Sequence, residues 1–478
     1  PVPRSARPRF PTTPLRVLHV TMELGPWSVV GDVGEYVASL AAAQFAAGDR
    51  VTVVTPLHAD GAWPISGMRQ VVGTRAVVRL ADREFPFALR RLTHPSGFEV
   101  VLVESALFER AGVYAHPDTG EIHGDTLLRS SVLCHAALYY ALNAGGRWQV
   151  IHGHDHHGAL AVALLQRRFQ PTPLQHARSV LTVHDPSRLG MHPPEETELA
   201  GLPESEGRPG GAFAFEGALS MLRAGLKTAR AVHCVAEAHR ELLTTPGAHG
   251  HPLSADAANS LLDSVPGGVD PQEWDPNTDP ALASSFDVAD LSGRAACRED
   301  LLGLCGWTDD GSLLVGYAGP IFPERGLLEL AEALHGRPGL PIRLILAGGG
   351  DGDTLDRLAA LDEPRLRLLG DDPTLRRQVL AGLDVYALPG ADCAGDLSHG
   401  PALRYGACVL HQASAPPDGI PPAAALVVEE DEDLGEVLAR LAAHRPDPDA
   451  VVAALQHTQP WHETAQHIRR RFYLEPLP

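Results

Sequence analysis

Residues 16–56 read RVLHVTMELGPWSVVGDVGEYVASLAAAQFAAGDRVTVVTP. A short β-branched apolar run over 15–21 breaks into a glycine-bearing turn. A helical pattern follows over 33–47, and a second apolar run occupies 50–56. Both runs are apolar along their length, without strand-period alternation, which marks strands buried on both faces. A helix between two such strands implies a parallel pair joined by a crossover. The pattern continues with strands at 98–103, 148–152, 179–184 and 231–235, and helices over 126–142, 158–169 and 216–228. A Pro/Gly/Asp-rich passage at 265–280 reads as a linker. Beyond it a second series has strands at 313–318, 342–347, 365–369, 384–388 and 425–428. Its helices fall at 324–335, 354–361, 397–405 and 434–443. The fold class is therefore α/β: two doubly wound, Rossmann-like domains facing a cleft, with ligands outside the carboxyl ends of the strands. The expected division is a lead-in over 1–14, a first domain over 15–264, the linker, a second domain over 281–456 and a closing segment over 457–478.

Composition narrows the partners. The 478 residues carry 39 Lys+Arg against 59 Asp+Glu, a formal net charge of −20. That balance argues against nucleic acid and against anionic membrane surfaces, both of which need basic patches. No apolar run approaches the ~18–20 residues of a membrane-spanning helix. Residues 1–14 are rich in Pro and Arg and have no apolar stretch, so they read as a flexible lead-in rather than a secretory signal. Six cysteines without a CxxC pair lie mostly among apolar neighbours and read as buried reduced thiols, which points to a cytoplasmic address.

Three motifs carry candidate chemistry. The segment at 25–35 (GPWSVVGDVGE) joins a strand to a helix N-terminus, where free N–H groups favour an anion. Asp32 puts negative charge in that place, and a plain strand-to-helix turn accounts for the glycines equally well. AGGGD at 347–351 repeats the theme in the second domain. HGHDHH at 152–157 is the densest polar cluster, but a metallo-hydrolase of the HxHxDH type needs its Asp fifth, and Asp155 is fourth. No metal is assigned to it; these side chains, with His184 at the end of SVLTVHD, are expected to line the cleft.

Together these segments resemble bacterial glycogen synthase and plant starch synthase, a family of retaining glycosyltransferases of the GT-B fold. Residues 16–56 are similar to the family's first strand, its Lys-Thr-Gly-Gly-Leu loop and the next helix and strand. HGHDHHGAL resembles His-x-His-Asp-Trp-His, SVLTVHDPSRLGM resembles Thr-Val-His-Asn…Gln-Gly-Met, and FEGALSMLRAGLKTARAVHCVAE the stretch around Phe-Leu-Lys-Ala-Gly-Leu. GGVDPQEWDPNTD, LILAGGGD, LDVYALPG and LRYGACVLH follow in the family's order, and Trp461 falls in a segment resembling its closing helix. The resemblance implies transfer of a hexose from a nucleotide sugar (ADP-glucose-like) to an α-glucan or oligosaccharide acceptor, with no resident cofactor. Carried over residue by residue, it implies catalytic roles for Asp155, His184 and, through a shifted loop, Asp392 or Asp396. It implies donor-binding roles for Glu23, Gly31, Arg223, Arg325, Gly349 and Ser398.

The sequence departs from the family at the positions that should hold the diphosphate. The loop lysine is Val29, the second loop glycine is Asp32, and the Asn of Asn-Gly-Val-Asp is Gly267. The clamp arginine is Pro320, the aromatic against the base is Asp371, and the Glu of Glu-Pro-x-Gly is Cys393. Losing one preorganised donor typically costs ~10²–10³ in rate, so transfer is expected to be weakened or altered. The alternative is a non-catalytic relative that binds glucan or an active partner enzyme, alone or as a homo-oligomer.

Overall fold

The computed structural model describes residues 13–475 except 118, 171, 247–250, 259, 391–392, 430 and 458. In the first domain the main elements are β1 (Arg16–Val20), α1 (Asp32–Ala46), β2 (Arg50–Pro56), β3 (Arg69–Leu80), β4 (Arg83–Thr93) and β5 (Glu99–Glu104). They continue with α2 (Thr126–Asn143), β6 (Val150–His154), α3 (Asp155–Arg167), β7 (Arg178–Val183), α4 (Met221–Thr228), β8 (Ala231–Cys234) and β9 (Leu261–Ser264). Among the described residues the strands form one nine-stranded sheet in the order β9-β8-β7-β6-β1-β2-β5-β4-β3. The β1 strand pairs in parallel with β2 on one side and β6 on the other, so the strand order reverses there and a crevice opens at their carboxyl ends. Both central strands are buried along almost their whole length, as the continuous apolar runs require.

The second domain contains β10 (Leu313–Ala318), α5 (Leu327–His335), β11 (Ile342–Ala347), β12 (Leu366–Leu369), β13 (Val385–Leu388), β14 (Cys408–Gln412) and β15 (Ala425–Val428). Its all-parallel sheet runs β12-β11-β10-β13-β14-β15. The order reverses beside β10, and the segments after β10 and β13 therefore face those after β1 and β6.

The structure departs from the reading of the sequence at several elements: β9 and β14 match no expected strand, and the helices Gly293–Leu304 and Pro373–Gly382 match no expected helix. A long antiparallel hairpin, β3–β4, extends the edge of the first sheet. Its alternating polar and apolar residues, as in REFPFALRRLT, suit one buried and one wet face, whereas the parallel strands read as unbroken apolar runs. The expected helix over 216–228 starts only at Met221, because Ala218–Ser220 joins a small antiparallel patch with Met191–His192 and Ala214–Phe215. All six cysteines are buried and unpaired.

The closing helix α6 (Trp461–Ile468) and the turn Arg469–Leu474 return to the first domain. Ile468, Phe472 and Tyr473 join one apolar cluster with Val17, Tyr36 and Leu40. A buried ion pair fastens this return: Arg469 Nε lies 3.2 Å from Asp49 Oδ2, and Asp49 Oδ1 accepts from the Leu15 N–H at 2.8 Å. Asp49→Ala leaves an uncompensated buried guanidinium and should cost about 3–5 kcal/mol. Reversible denaturation checks this, and a loss below about 1 kcal/mol would show that the pair does not hold the segment.

Buried imidazoles set the pH response. Burial lowers His19, His58, His135, His233 and His239 from 6.5 to about 4. The unfolded chain takes up these protons near pH 6.5 and the folded chain only near 4, so their contribution is complete above 6.5 and lost as pH falls toward 4. Burial raises Asp155 to about 7 and Asp32 to about 6, which acts in the opposite sense between pH 3.8 and those values. The histidines are more numerous, so calorimetry should show Tm falling steadily from pH 7.5 to 4.5; a flat or rising Tm would contradict this assignment.

Candidate functional site

The cleft is built from the carboxyl ends of β1, β6 and β7 on one side and of β10 and β13 on the other. Glu23 follows β1. Its carboxylate accepts the N–H groups of Val30 and Gly31 at 2.6 and 3.0 Å, and Tyr114 donates its hydroxyl at 2.6 Å. The backbone donors of the glycine turn are thus occupied by a protein carboxylate. Burial raises the Glu23 pKa, opposed by these three donors.

Asp155 opens α3 with a left-handed backbone, φ 53°. Aspartate tolerates that region better than most residues, but the conformation still carries strain. It is held because Asp155 Oδ1 accepts the N–H groups of His184 and Asp185 at 2.8 and 3.3 Å, tying the end of β6 to the end of β7. Burial, then the neighbouring Asp185, pushes this carboxyl up to about 7, so it straddles protonation at neutral pH. The His184 ring is bonded through Nε2 to His154 Nδ1 at 3.1 Å.

Across the cleft stands Arg325, after β10 and 9% exposed. Its guanidinium spans the two domains: Nη2 meets Asp32 Oδ2 at 2.8 Å, and Nη1 meets Asp396 Oδ2 at 2.6 Å. Asp32 is the first residue of α1, where a phosphate would otherwise meet the helix N-terminus. Burial works against the charge on Arg325, but Asp396, Tyr317 and Asp32 outweigh it and raise its pKa. Two carboxylates share one cation, so burial and the neighbouring Asp396 push Asp32 up to about 6 despite the ion pair.

Ser398 is also taken. Its N–H donates to Asp396 Oδ1 at 2.7 Å and its hydroxyl donates to the same oxygen, while Tyr386 donates to Ser398 Oγ at 2.6 Å. Cys393 is fully buried, and burial drives its thiol up to about 12. Asp392 lies outside the described residues, so the shifted-loop carboxylate is represented by Asp396, turned onto Arg325.

The other expected positions divide clearly. Gly31 caps α1 and donates to Glu23. Gly349 lies beside Asp371: a Cβ there would stand 3.8 Å from Asp371 Oδ2. Val29 is exposed, and Pro320 accepts at its carbonyl from Tyr317 at 3.1 Å. A side chain at Gly267 would place its Cβ 2.3 Å from Leu397 Cδ2, so an asparagine there requires the end of the Leu397 side chain to turn aside. Arg223 does not converge on Arg325. It bonds to Asp256 Oδ2 at 2.7 Å and to the carbonyls of Gly211 and Ala214, a structural brace at the start of α4.

Two more interdomain pairs escaped the reading of the sequence. Arg376 Nη1 lies 3.5 Å from Glu35 Oε1, and Arg188 Nη2 lies 2.5 Å from Glu324 Oε1. Nothing in the local sequence marks them, since each joins residues more than a hundred positions apart. Apolar contact adds to the closure: Ala236 packs against Ala394 and Ala415. Arg325 thus faces a cleft closed from both sides.

The described geometry matches known proteins closely. Residues 16–256 match the family model described as starch synthase catalytic domain. The chain is 28% identical over 410 residues to glycogen synthase from Myxococcus xanthus, covering 84% of each. It is 30% identical over 407 residues to glycogen synthase from Anaeromyxobacter dehalogenans, covering 82% of each. In three dimensions it superposes with a TM-score of 0.83 on the catalytic domain of starch synthase IV from Arabidopsis thaliana bound to ADP and acarbose. That pair is 20% identical, covering 96% of this chain and 99% of the other. The TM-score with sucrose-phosphate synthase from Thermosynechococcus elongatus is 0.56 at 16% identity, covering 96% of this chain and 95% of that one. The fold is the two-domain GT-B arrangement, and the chain belongs to the glycogen and starch synthase family of glycosyltransferases.

Proposed function

We propose that this chain is a non-catalytic member of its family that binds α-glucan and no longer transfers hexose from a nucleotide sugar. The observation that carries the proposal is Arg325 held between Asp32 and Asp396. A diphosphate leaving group needs fixed positive charge where its own charge develops. Here the local sum of one guanidinium and two carboxylates is negative, in a desolvated cleft where Coulomb terms are strong. The lysine and arginine positions that would add charge hold Val29 and Pro320, and the glutamate position holds buried Cys393.

The α-glucan part rests on kinship. The similar starch synthase catalytic domain is bound to ADP and acarbose, and the first domain here has Glu23, Asp155 and His184 at its strand ends. A neutral oligosaccharide, unlike a nucleotide, meets no electrostatic barrier at Asp32. Six buried reduced cysteines and the net charge of −20 suit a cytoplasmic protein that engages neither nucleic acid nor anionic lipid. Among the described residues no helix is long and apolar enough to cross a membrane.

An altered transferase is the second reading. It is favoured by the strained backbone and raised carboxyl of Asp155, features that cluster at working sites. A transfer assay with a panel of nucleotide sugars and malto-oligosaccharides separates the two. The proposal expects no hexose transfer with any donor, together with retarded migration in glycogen-containing native gels. Turnover with any donor would establish the transferase instead. Asp32→Gly combined with Val29→Lys should increase ADP affinity by at least about tenfold in calorimetry, since freeing a charged hydrogen-bonding group is worth roughly 1.5–3 kcal/mol. Unchanged nucleotide affinity in that variant would remove the electrostatic block as the cause.

A further inference from the structure

Beneath the cleft, at the centre of the first sheet, five histidines and three other polar side chains form one continuous line. It runs from His184 through His154, His19, Gln44, Tyr473, His152 and Thr182 to His233, and ends on the Val265 carbonyl. Residues from β1, β6, β7 and β8 meet there with α1 and the closing segment. Ten ring nitrogens in a buried site ordinarily leave the tautomers ambiguous. Here the far end resolves every one of them.

A carbonyl oxygen only accepts, so His233 Nε2, 2.8 Å from Val265 O, carries the proton. The neutral ring then accepts at Nδ1 from the Thr182 hydroxyl at 3.0 Å. Thr182 has spent its proton, so it accepts from His152 Nε2–H at 2.6 Å, and His152 Nδ1 accepts the Tyr473 hydroxyl proton at 2.7 Å. The Tyr473 oxygen must accept in turn, which turns the Gln44 amide nitrogen toward it at 3.0 Å and the Gln44 oxygen toward His19 Nε2–H at 2.8 Å. His19 Nδ1 accepts from His154 Nε2–H at 3.0 Å, and His154 Nδ1 accepts from His184 Nε2–H at 3.1 Å. Neutral rings are required at His154, His19, His152 and His233, which all accept at Nδ1, because an imidazolium has no acceptor; His184 only donates within the line, and its own burial keeps it neutral. Burial supplies that condition, lowering His19 and His233 to about 4, His184 to about 3, and His152 and His154 well below the ordinary range.

We infer that Gln44 and Tyr473 are positioning residues that lock His184 as its Nε2–H tautomer through a hydrogen-bond chain of one fixed polarity. His184 is the most exposed member at 9%, and its Nδ1 has no partner among the described residues. At the cleft the chain therefore presents only an acceptor, and a ligand group meeting it there must be a hydrogen-bond donor. Tyr473 belongs to the closing segment, so the C-terminal return, some 290 residues away in sequence, sets the proton at a cleft residue. The inference stands whether or not hexose is transferred.

A metal offers the competing arrangement. His19, His152 and His154 place ligand atoms within 4.8 Å of one another, close enough for a three-histidine site. Yet the chain commits the lone pairs of all three Nδ1 atoms to His154, Tyr473 and His184, and their Nε2 atoms to protons. Zinc and the chain exclude each other.

Histidine-selective ¹⁵N labelling of the full chain, read by two-bond ¹⁵N–¹H correlation, tests this directly. Signals are assigned by single substitutions, beginning with His184→Asn at the end of the line. The expected result is five neutral Nε2–H rings, constant from pH 8 to pH 5. Tyr473→Phe and Gln44→Leu each cut the reference to Val265, so His184, His154 and His19 should show averaged tautomers while His233 stays Nε2–H. Dialysis against zinc chloride should leave the wild type without stoichiometric metal. An Nδ1–H signature at His184 in the wild type would overturn the inference, as would one zinc per chain lost on His19→Gln. Unchanged tautomers in both cutting variants would do the same. If neither variant folds, the wild-type spectrum and the zinc ratio decide alone.

Discussion

The Arg325 guanidinium, clasped by Asp32 from one domain and Asp396 from the other, is the interaction on which this reading of the molecule turns. A buried ion pair is stable only when the charges it removes from water are compensated, and here the count is one cation against two anions. Burial and then the neighbouring Asp396 raise the pKa of Asp32. The same three groups occupy the space where two strand-order reversals face each other, the place at which this architecture receives a phosphate. The fold of the family is thus present with an aspartate at the helix N-terminus, paired to Arg325.

Much of the fold was legible because parallel strands buried on both faces must be apolar throughout. β1, β2, β6, β7, β10 and β11 all announce themselves in this way. The β3–β4 hairpin did not, since its charged residues alternate with apolar ones on a half-wet edge. The family's motif order marks Val29, Asp32, Gly267, Pro320 and Cys393 as expected substitutions, and it does not reach their contacts. That Asp32 reaches Arg325 depends on a contact across 293 residues, which no local pattern encodes. Arg223 shows the reverse error: a motif match put it with the donor site, whereas its guanidinium braces Asp256 and two loop carbonyls.

The polar residues at the first-domain strand ends are held in defined hydrogen bonds. Asp155 still ties two strand ends through a strained backbone, Glu23 still caps the glycine turn, and His184 terminates an ordered line of buried imidazoles. Such networks are costly unless satisfied, and this one is satisfied from His184 Nε2 to the Val265 carbonyl. The acidic clasp on Arg325, beside the ordered polar groups at the first-domain strand ends, supports the proposed binding role. The negative charge of the chain, read at first only as a bar to nucleic acid and membrane, has one of its consequences inside the cleft.

The most direct measurement is a crystal structure of the wild-type chain grown with saturating ADP. This account predicts Arg325 still bonded to Asp32 and Asp396, with no diphosphate density between the domains. An ordered diphosphate bonded to Arg325, with Asp32 turned away, would contradict it.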